Sequence, residues 1–314
     1  MVSIENLTTL VFSGGGVRGL AYAGALMAFK DTYAKDAHDH FSTFAGSSVG
    51  SLFALVCSLG LNIESTLALV ESMGLQVIFQ NDPACLLSHY ALNSGEALES
   101  LLVQLFTLAC VNPNITFQEL NQKTGKSLVV VVVDLLTSNT MYLDHTNEGQ
   151  KMSVLKALMG SMALPPMFPP VKIGSEYLFT DGGLLDNFPI ARFEPSKTLG
   201  IRSTWYIDPT DPMNDIASYY TRVLSIMQLT MHSIQQQTTE KYENVILIDL
   251  GHIMAYNTNV NQKDLIFKGY RSAIARFSGP HILVSENPVK FLPGGPLRLP
   301  AYLQEFKNAQ VPNV

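Results

Sequence analysis

The chain of 314 residues is 47% apolar and only 15% charged, with 26 acidic against 20 basic side chains and a net charge of −6. That balance excludes intrinsic disorder, and the lack of any Lys/Arg cluster excludes nucleic acid as a partner and polybasic docking on anionic lipid. The densest apolar stretches, residues 20–29 and 101–111, fall well short of the roughly 18 residues that a spanning helix needs.

From the N-terminus, residues 1–9 show no basic segment followed by an apolar one, so no secretory signal is expected. A cytoplasmic setting is expected instead, with signal-independent export left open. A strand over 8–12 leads through a glycine-rich turn into a helix that begins after Gly19. Asp36, His38, Asp39 and His40 then read as a solvated loop before a second strand at 41–45 and a helix after Gly50. Further helices are expected after Asn62, Asn93 and Thr116. Asn93 with Glu96 and Thr116 with Glu119 each set a carboxylate three residues beyond a cap. Residues 127–133 form an apolar run without alternation, as expected of a central strand covered on both faces.

A strand at 140–143, a helix after Lys151 and strands at 177–180 and 199–206 follow. Asp208, Asp211 and Asp215 lie in a Pro-containing stretch without a Ca²⁺-loop pattern and read as loop. The helix after Asn214 carries Tyr220, Val223, Met227, Met231 and Ile234 in one stripe, which reads as core packing. A strand at 244–249 and a helix after Asn261 complete the alternation of an α/β sheet with helices on both faces. Residues 1–290 are expected to form a single domain and 291–314 a Pro/Gly-rich tail. Cys57, Cys85 and Cys110 are odd in number and lie in apolar contexts, so they read as reduced core residues.

Three glycine-centred sites carry chemistry. The first, Ser13-Gly14-Gly15-Gly16-Val17-Arg18-Gly19, follows a strand and opens an apolar helix. Its Gly14-x-Gly16-x-x-Gly19 spacing also matches a dinucleotide-binding fingerprint. The acidic residue that fingerprint needs after a second strand is missing, since Asp36 and Asp39 precede that strand. The other reading is a nest of bare glycine N–H groups that faces an anion. The second site, Gly46-Ser47-Ser48-Val49-Gly50, lies between a strand and a helix, the arrangement of a nucleophile elbow. Such a turn lifts Ser48 Oγ out of the sheet to a helix N-terminus, where negative charge is favoured; Ser47 at the x position points elsewhere. The third, Thr180-Asp181-Gly182-Gly183, presents an acid at a strand end and on its own is only a turn.

A nucleophilic serine usually borrows a base from histidine. His38, His40, His89, His145, His232, His252 and His281 all lack a recognisable catalytic setting. No H-E-x-x-H or paired C-x-x-C occurs, so no metal site is expected.

In this order the three motifs resemble those of the patatin-like phospholipase family. Residues 13–19 are similar to its glycine-rich oxyanion motif, 46–50 to its elbow and 181–183 to its D-G-G/A motif. The block from Gly160 through Pro165, Phe168 and Pro170 resembles the family's Ser/Ala-Pro-Phe-Pro stretch leading into the aspartate. Weaker similarity continues at 199–202, 245–251 and 269–277, so the resemblance covers residues 8 to 277. Ser13 stands where some members have Asp, and Asp186-Asn187-Phe188-Pro189 where others have Asn-Asn-x-Pro.

The resemblance implies a three-layer α/β/α sandwich with a mostly parallel central sheet, and a lipid acyl hydrolase of the phospholipase A or lysophospholipase type. It implies a Ser48–Asp181 dyad without histidine or cofactor, and an oxyanion hole at Gly14, Gly15, Gly16 and Gly19 braced by Arg18. Gly46, Gly50, Gly182 and Gly183 shape the elbow and the aspartate turn. A lipid or phospholipid is the implied substrate, reached through an apolar mouth with 164–170 as one wall and 75–92 as a cover. Peripheral membrane contact and a protein activator stay open. Two other readings remain: an α/β-hydrolase esterase whose triad uses His252 or His281, and a catalytically silent lipid-binding module.

Overall fold

The computed structural model describes residues 3–278 other than 83, 211, 212, 215, 254 and 256. The expectations for Asp211, Asp215, His281 and the 291–314 tail lie outside the described residues. Among the described residues eight strands form one sheet: β1 (Thr9–Phe12), β2 (Thr43–Ser47), β3 (Ser127–Asp134), β4 (Asn139–Leu143), β5 (Val171–Ile173), β6 (Tyr177–Asp181), β7 (Thr198–Thr204) and β8 (Val245–Asp249). β8, β7, β1, β2 and β3 run parallel in that spatial order. β4 and β6 pair antiparallel with β3, and β5 with β6.

The eleven described α-helices are α1 (Leu20–Tyr33), α2 (Ala37–His40), α3 (Val49–Ser58), α4 (Ile63–Met73), α5 (Leu75–Ile78), α6 (Cys85–His89), α7 (Glu96–Leu108), α8 (Phe117–Thr124), α9 (Val154–Ser161), α10 (Ile216–Thr239) and α11 (Gln262–Ser278). Among the described residues, no helix is long and apolar enough to cross a membrane. The dense 20–29 stretch is instead the buried body of α1.

Alternation along the strands separates two cores. Leu10, Phe12, Phe44, Val130, Val132, Ile201 and Ile246 turn toward one large core shared with α1, α3, α4, α7, α9 and α11. Val11, Ala45 and Val129 turn the other way, onto Phe188, Ile190 and Tyr242. The second face is therefore covered thinly, by short 3₁₀ turns over 182–192 and by α10. β3 is buried along Leu128–Asp134, as a run without alternation requires.

Several elements depart from expectation. β2 starts two residues late because the Phe41 amide closes the α2 turn onto the Ala37 carbonyl, so residues 37–40 are a turn of helix and not a loop. β5 is an unexpected three-residue strand. Thr116 and Glu119 do form a reciprocal capping box on α8. Asn93 does not cap α7, which begins at Glu96; its side chain accepts from the Gly95 amide and donates to the Ile78 and Gln80 carbonyls. Of the cysteines, Cys57 is buried but Cys110 is exposed.

The α10 stripe is the largest correction. Tyr220, Val223, Met227 and Ile234 face solvent, because α10 packs through Ser225, Gln235 and Thr239 on its opposite side.

The α1–α11 crossing depends on two glycines. A Cβ at Gly24 would run into the Ile266 carbonyl, and one at Gly269 into the Ala21 carbonyl. Gly269→Ala should lower stability by roughly 1–3 kcal/mol through overpacking. The expected readout is a lower urea midpoint with an unchanged slope; an unchanged midpoint would refute the close crossing.

Candidate active site

The site is built where two strand ends meet. β2 runs parallel along the first part of β3 and ends with Ser47 opposite Val131. β6 runs antiparallel along the second part and ends with Asp181 opposite Val132. β4 occupies the other edge of β3, pairing Val130 through Asp134, so β2 and β6 share one edge head to head. Across that junction Ser48 Oγ donates a 2.7 Å hydrogen bond to Asp181 Oδ2.

Ser48 has the backbone of an elbow, with φ 53° and ψ −132°, at the N-terminus of α3. Such a conformation costs a non-glycine residue on the order of 1–3 kcal/mol and persists only where its surroundings enforce it. Here they do: a Cβ at Gly46 would strike the Gly50 carbonyl, and one at Gly50 the carbonyls of Phe12 and Ser13. The Ser48 amide donates to Ser161 Oγ at 3.0 Å, and Ser51 Oγ donates to the Ser48 carbonyl at 2.6 Å. Ser47 is fully buried and lines neither cavity described below.

Asp181 is 1% exposed. Its Oδ1 accepts the Gly183 amide at 2.7 Å, and its own amide donates to the Ala163 carbonyl at 3.2 Å. Burial pushes its carboxyl up to about 7, while the hydrogen bonds from Ser48 and Gly183 pull against that rise.

The glycine loop lies beside Ser48 and is held from three sides. The Gly14 amide donates to the Asn187 carbonyl at 2.9 Å, Val17 to Ala255 at 2.8 Å, and Arg18 Nε to the Gly15 carbonyl at 2.9 Å. Gly14 is thus committed to structure, which removes it from the expected set of oxyanion donors. Among the described residues the Gly15 and Gly16 amides form no hydrogen bond. Gly16 has φ 58°, and a Cβ there would collide with the Ala255 carbonyl. At Gly19 a Cβ would crowd Val49, so that glycine sets how closely α1 approaches α3. Beneath the loop, Tyr22 Oη lies 2.7 Å from Ser13 Oγ and 3.1 Å from Ser203 Oγ.

Two cavities meet at Ser48. One, partly open to solvent, is lined almost wholly by apolar side chains. Leu52, Phe53 and Leu98 line it, with Leu164, Met167 and Phe168 from the expected wall and Leu75, Ile78 and Phe79 from the expected cover. The other is smaller and polar and holds Arg18, Asp181, Asn187, Trp205 and Gln228. The Arg18 guanidinium sits 4.1 Å over the Trp205 ring. Gly16, Ser48, Leu164 and Ala255 belong to both.

Among the described residues, no histidine lines either cavity. His252 Nδ1 accepts the Asp208 amide at 2.9 Å, in a loop. Sequence reasoning missed Ser161, Trp205, Gln228 and Ala255. Only Ser161 carried a signal, its place in the Gly160–Pro170 block; the others come from distant loops and α10.

A family model described as Patatin-like phospholipase matches residues 10–193, more than half of the chain. An uncharacterized protein of Acanthamoeba polyphaga mimivirus is 24% identical over 284 residues, covering 85% of this chain and 92% of the relative. A probable lipid hydrolase of Invertebrate iridescent virus 6 is 30% identical over 188 residues, covering 58% of this chain and 61% of that protein. A cGAMP-activated phospholipase of Pseudomonas aeruginosa is 26% identical over 195 residues, covering 60% of this chain and 56% of the relative. Among solved structures, VipD from Legionella pneumophila shares the fold, with a TM-score of 0.58 at 15% identity over 87% of this chain and 67% of that one.

The Ser48 hydrogen bond holds the Asp181 carboxyl below where burial alone would put it. Ser48→Ala should therefore raise the titration midpoint above about 7. Infrared difference spectra against pH, with Asp181→Asn as the blank, measure that midpoint. A downward shift would contradict the contact.

Proposed function

The chain belongs to the patatin-like phospholipase family, and from that premise we propose that it hydrolyses fatty-acyl esters of lipids through a Ser48–Asp181 dyad. The observation that carries this reading is the 2.7 Å hydrogen bond from the elbow serine to a buried carboxylate. In the first step Ser48 Oγ bonds to the acyl carbonyl carbon while its proton passes to Asp181 Oδ2. The carbonyl oxygen becomes an oxyanion facing the Gly15 and Gly16 amides, each such donor worth roughly 3 kcal/mol of barrier. The tetrahedral adduct collapses, the ester C–O bond breaks, and the leaving alcohol takes the proton from Asp181. Water then attacks the acyl-Ser48 ester, giving its proton to Asp181. Collapse releases the fatty acid and returns that proton to Ser48.

The two cavities suit the two halves of such a substrate. The apolar one takes the acyl chain, and the polar one, with Arg18, Asn187 and Gln228, takes the alcohol and head group. We assign the catalytic unit to residues 1–290 as one domain. Its free cysteines fit a cytoplasmic, reducing setting.

Asp181 must be ionised to accept a proton, so kcat/KM should climb about tenfold per pH unit below its titration and level off above about 7. Assay of a water-soluble ester from pH 5 to 9 checks the sign; a rate that falls through neutrality would exclude Asp181 as base. Ser48→Ala should abolish both turnover and fluorophosphonate labelling while leaving the fold intact. Alanine at each of the seven histidines in turn should keep activity within about tenfold, since no proton passes through imidazole. A silent but folded His252→Ala or His281→Ala enzyme would establish a triad. Leu98→Trp, by filling the apolar cavity, should depress kcat/KM on long-chain esters at least tenfold more than on butyrate esters; equal losses would remove the acyl chain from that cavity.

A further inference from the structure

The outward face of α10 carries a run of exposed apolar side chains between 219 and 234, interrupted by Thr230. Val223, Ile226, Met227 and Ile234 are 37 to 58% exposed, and Tyr219 and Tyr220 flank them. Arg222 is the only Asp, Glu, Lys or Arg in the helix, and its guanidinium donates to the Asp208 carbonyl. The opposite face is polar and fixed to the molecule. Gln228 lines the polar cavity, Gln235 Nε2 donates to Asp186 Oδ1 at 2.7 Å, and Arg202 donates to Thr239 Oγ1 at 3.0 Å. These bonds orient the apolar face outward. The segment over 75–92 has the same arrangement on the apolar cavity's side. Leu75, Ile78 and Phe79 line that cavity, whereas Leu87 and Tyr90 project into solvent at 92 and 78% exposure.

We propose that α10 and the 75–92 segment form one rim that seats the enzyme on an electrically neutral lipid surface, with the cavities opening toward the bilayer. The proposal rests on the acyl-hydrolase reading, because it takes the substrate to be an acyl chain already held in lipid.

Three observations select lipid over a protein partner. Each rim element also lines one of the two cavities that meet at Ser48: the 75–92 segment continues into the apolar cavity assigned to the acyl chain, and α10 borders the polar one through Gln228. The α10 face offers no charged group for a complementary protein surface, and the net charge of −6 disfavours anionic lipid. Tyrosines bordering an aliphatic stripe match the side chains that settle at a membrane interface.

Flotation of the full chain with phosphatidylcholine vesicles tests the proposal. Ile226→Asp/Ile234→Asp should cut the bound fraction and hydrolysis of vesicle lipid at least tenfold, while turnover of a water-soluble butyrate ester stays within twofold. Leu87→Asp, on the other rim element, should act in the same direction and serves if the double variant fails to fold. Ser48→Ala should bind vesicles as the parent does. That separates the two readings: binding intact with no ester turnover in the parent would defeat the hydrolase and leave the surface. Vesicle binding indifferent to the aspartates would overturn the surface and leave the hydrolase. A parent dimer that the aspartates convert to monomer in light scattering would also overturn it, by showing a second copy on this face.

Discussion

Ser48 and Asp181 lie on strands of opposite direction that converge on one edge of β3, and the 2.7 Å contact between them exists because of that pairing. Side chains alternate faces along a strand, so a one-residue slip of β6 would turn the Asp181 side chain away from the serine. The ladders prevent it, because Ser47 and Asp181 face consecutive residues of β3, Val131 and Val132. A triad enzyme uses a third side chain to orient its base. In this chain the sheet and the Gly183 amide orient the carboxylate directly.

The burial that fits Asp181 for the proposed role of base opposes folding once the carboxyl ionises. Its folded-state titration near 7 lies above the ordinary 3.8. The folded state thus holds the proton more tightly, and Asp181's contribution to stability is full below the ordinary value and is lost as pH rises toward about 7. In the proposed reaction, catalysis and stability accordingly draw opposite benefits from one group across that interval. Asp186, five residues on, is likewise pushed up by burial. It gathers Tyr142 Oη and Gln235 Nε2, tying α10 to the loop that follows Asp181.

Much of this is legible in the sequence. The glycine turn, the elbow and the D-G-G acid each sit at a strand end, and local chemistry reveals strand ends. β3 was legible because an unbroken valine run has few other uses. The failures share a cause: periodicity says that a helix has an apolar face but not what covers it. On α10 the stripe at Tyr220, Val223, Met227 and Ile234 has the spacing of a core face, yet Gln228, Gln235 and Thr239 make the contacts. Asn93 misled in the same manner, its cap-like position serving instead to hold the Ile78 and Gln80 carbonyls. The commitment of the Gly14 amide to Asn187 spans 173 positions, beyond any local pattern.

The cover over the apolar cavity is a single excursion of the chain between α4 and α7. It is fastened by a few main-chain bonds, among them the Leu92 amide to the Pro166 carbonyl at 2.7 Å and the Asp82 amide to the Leu92 carbonyl at 2.6 Å. None of its described residues belongs to a strand of the sheet, and Ser48 and Asp181 take their positions without it. Inheritance can therefore lengthen, shorten or exchange this excursion while the Ser48–Asp181 pair keeps its spacing. Descendants of one such gene are free to diverge in appetite and remain alike in chemistry.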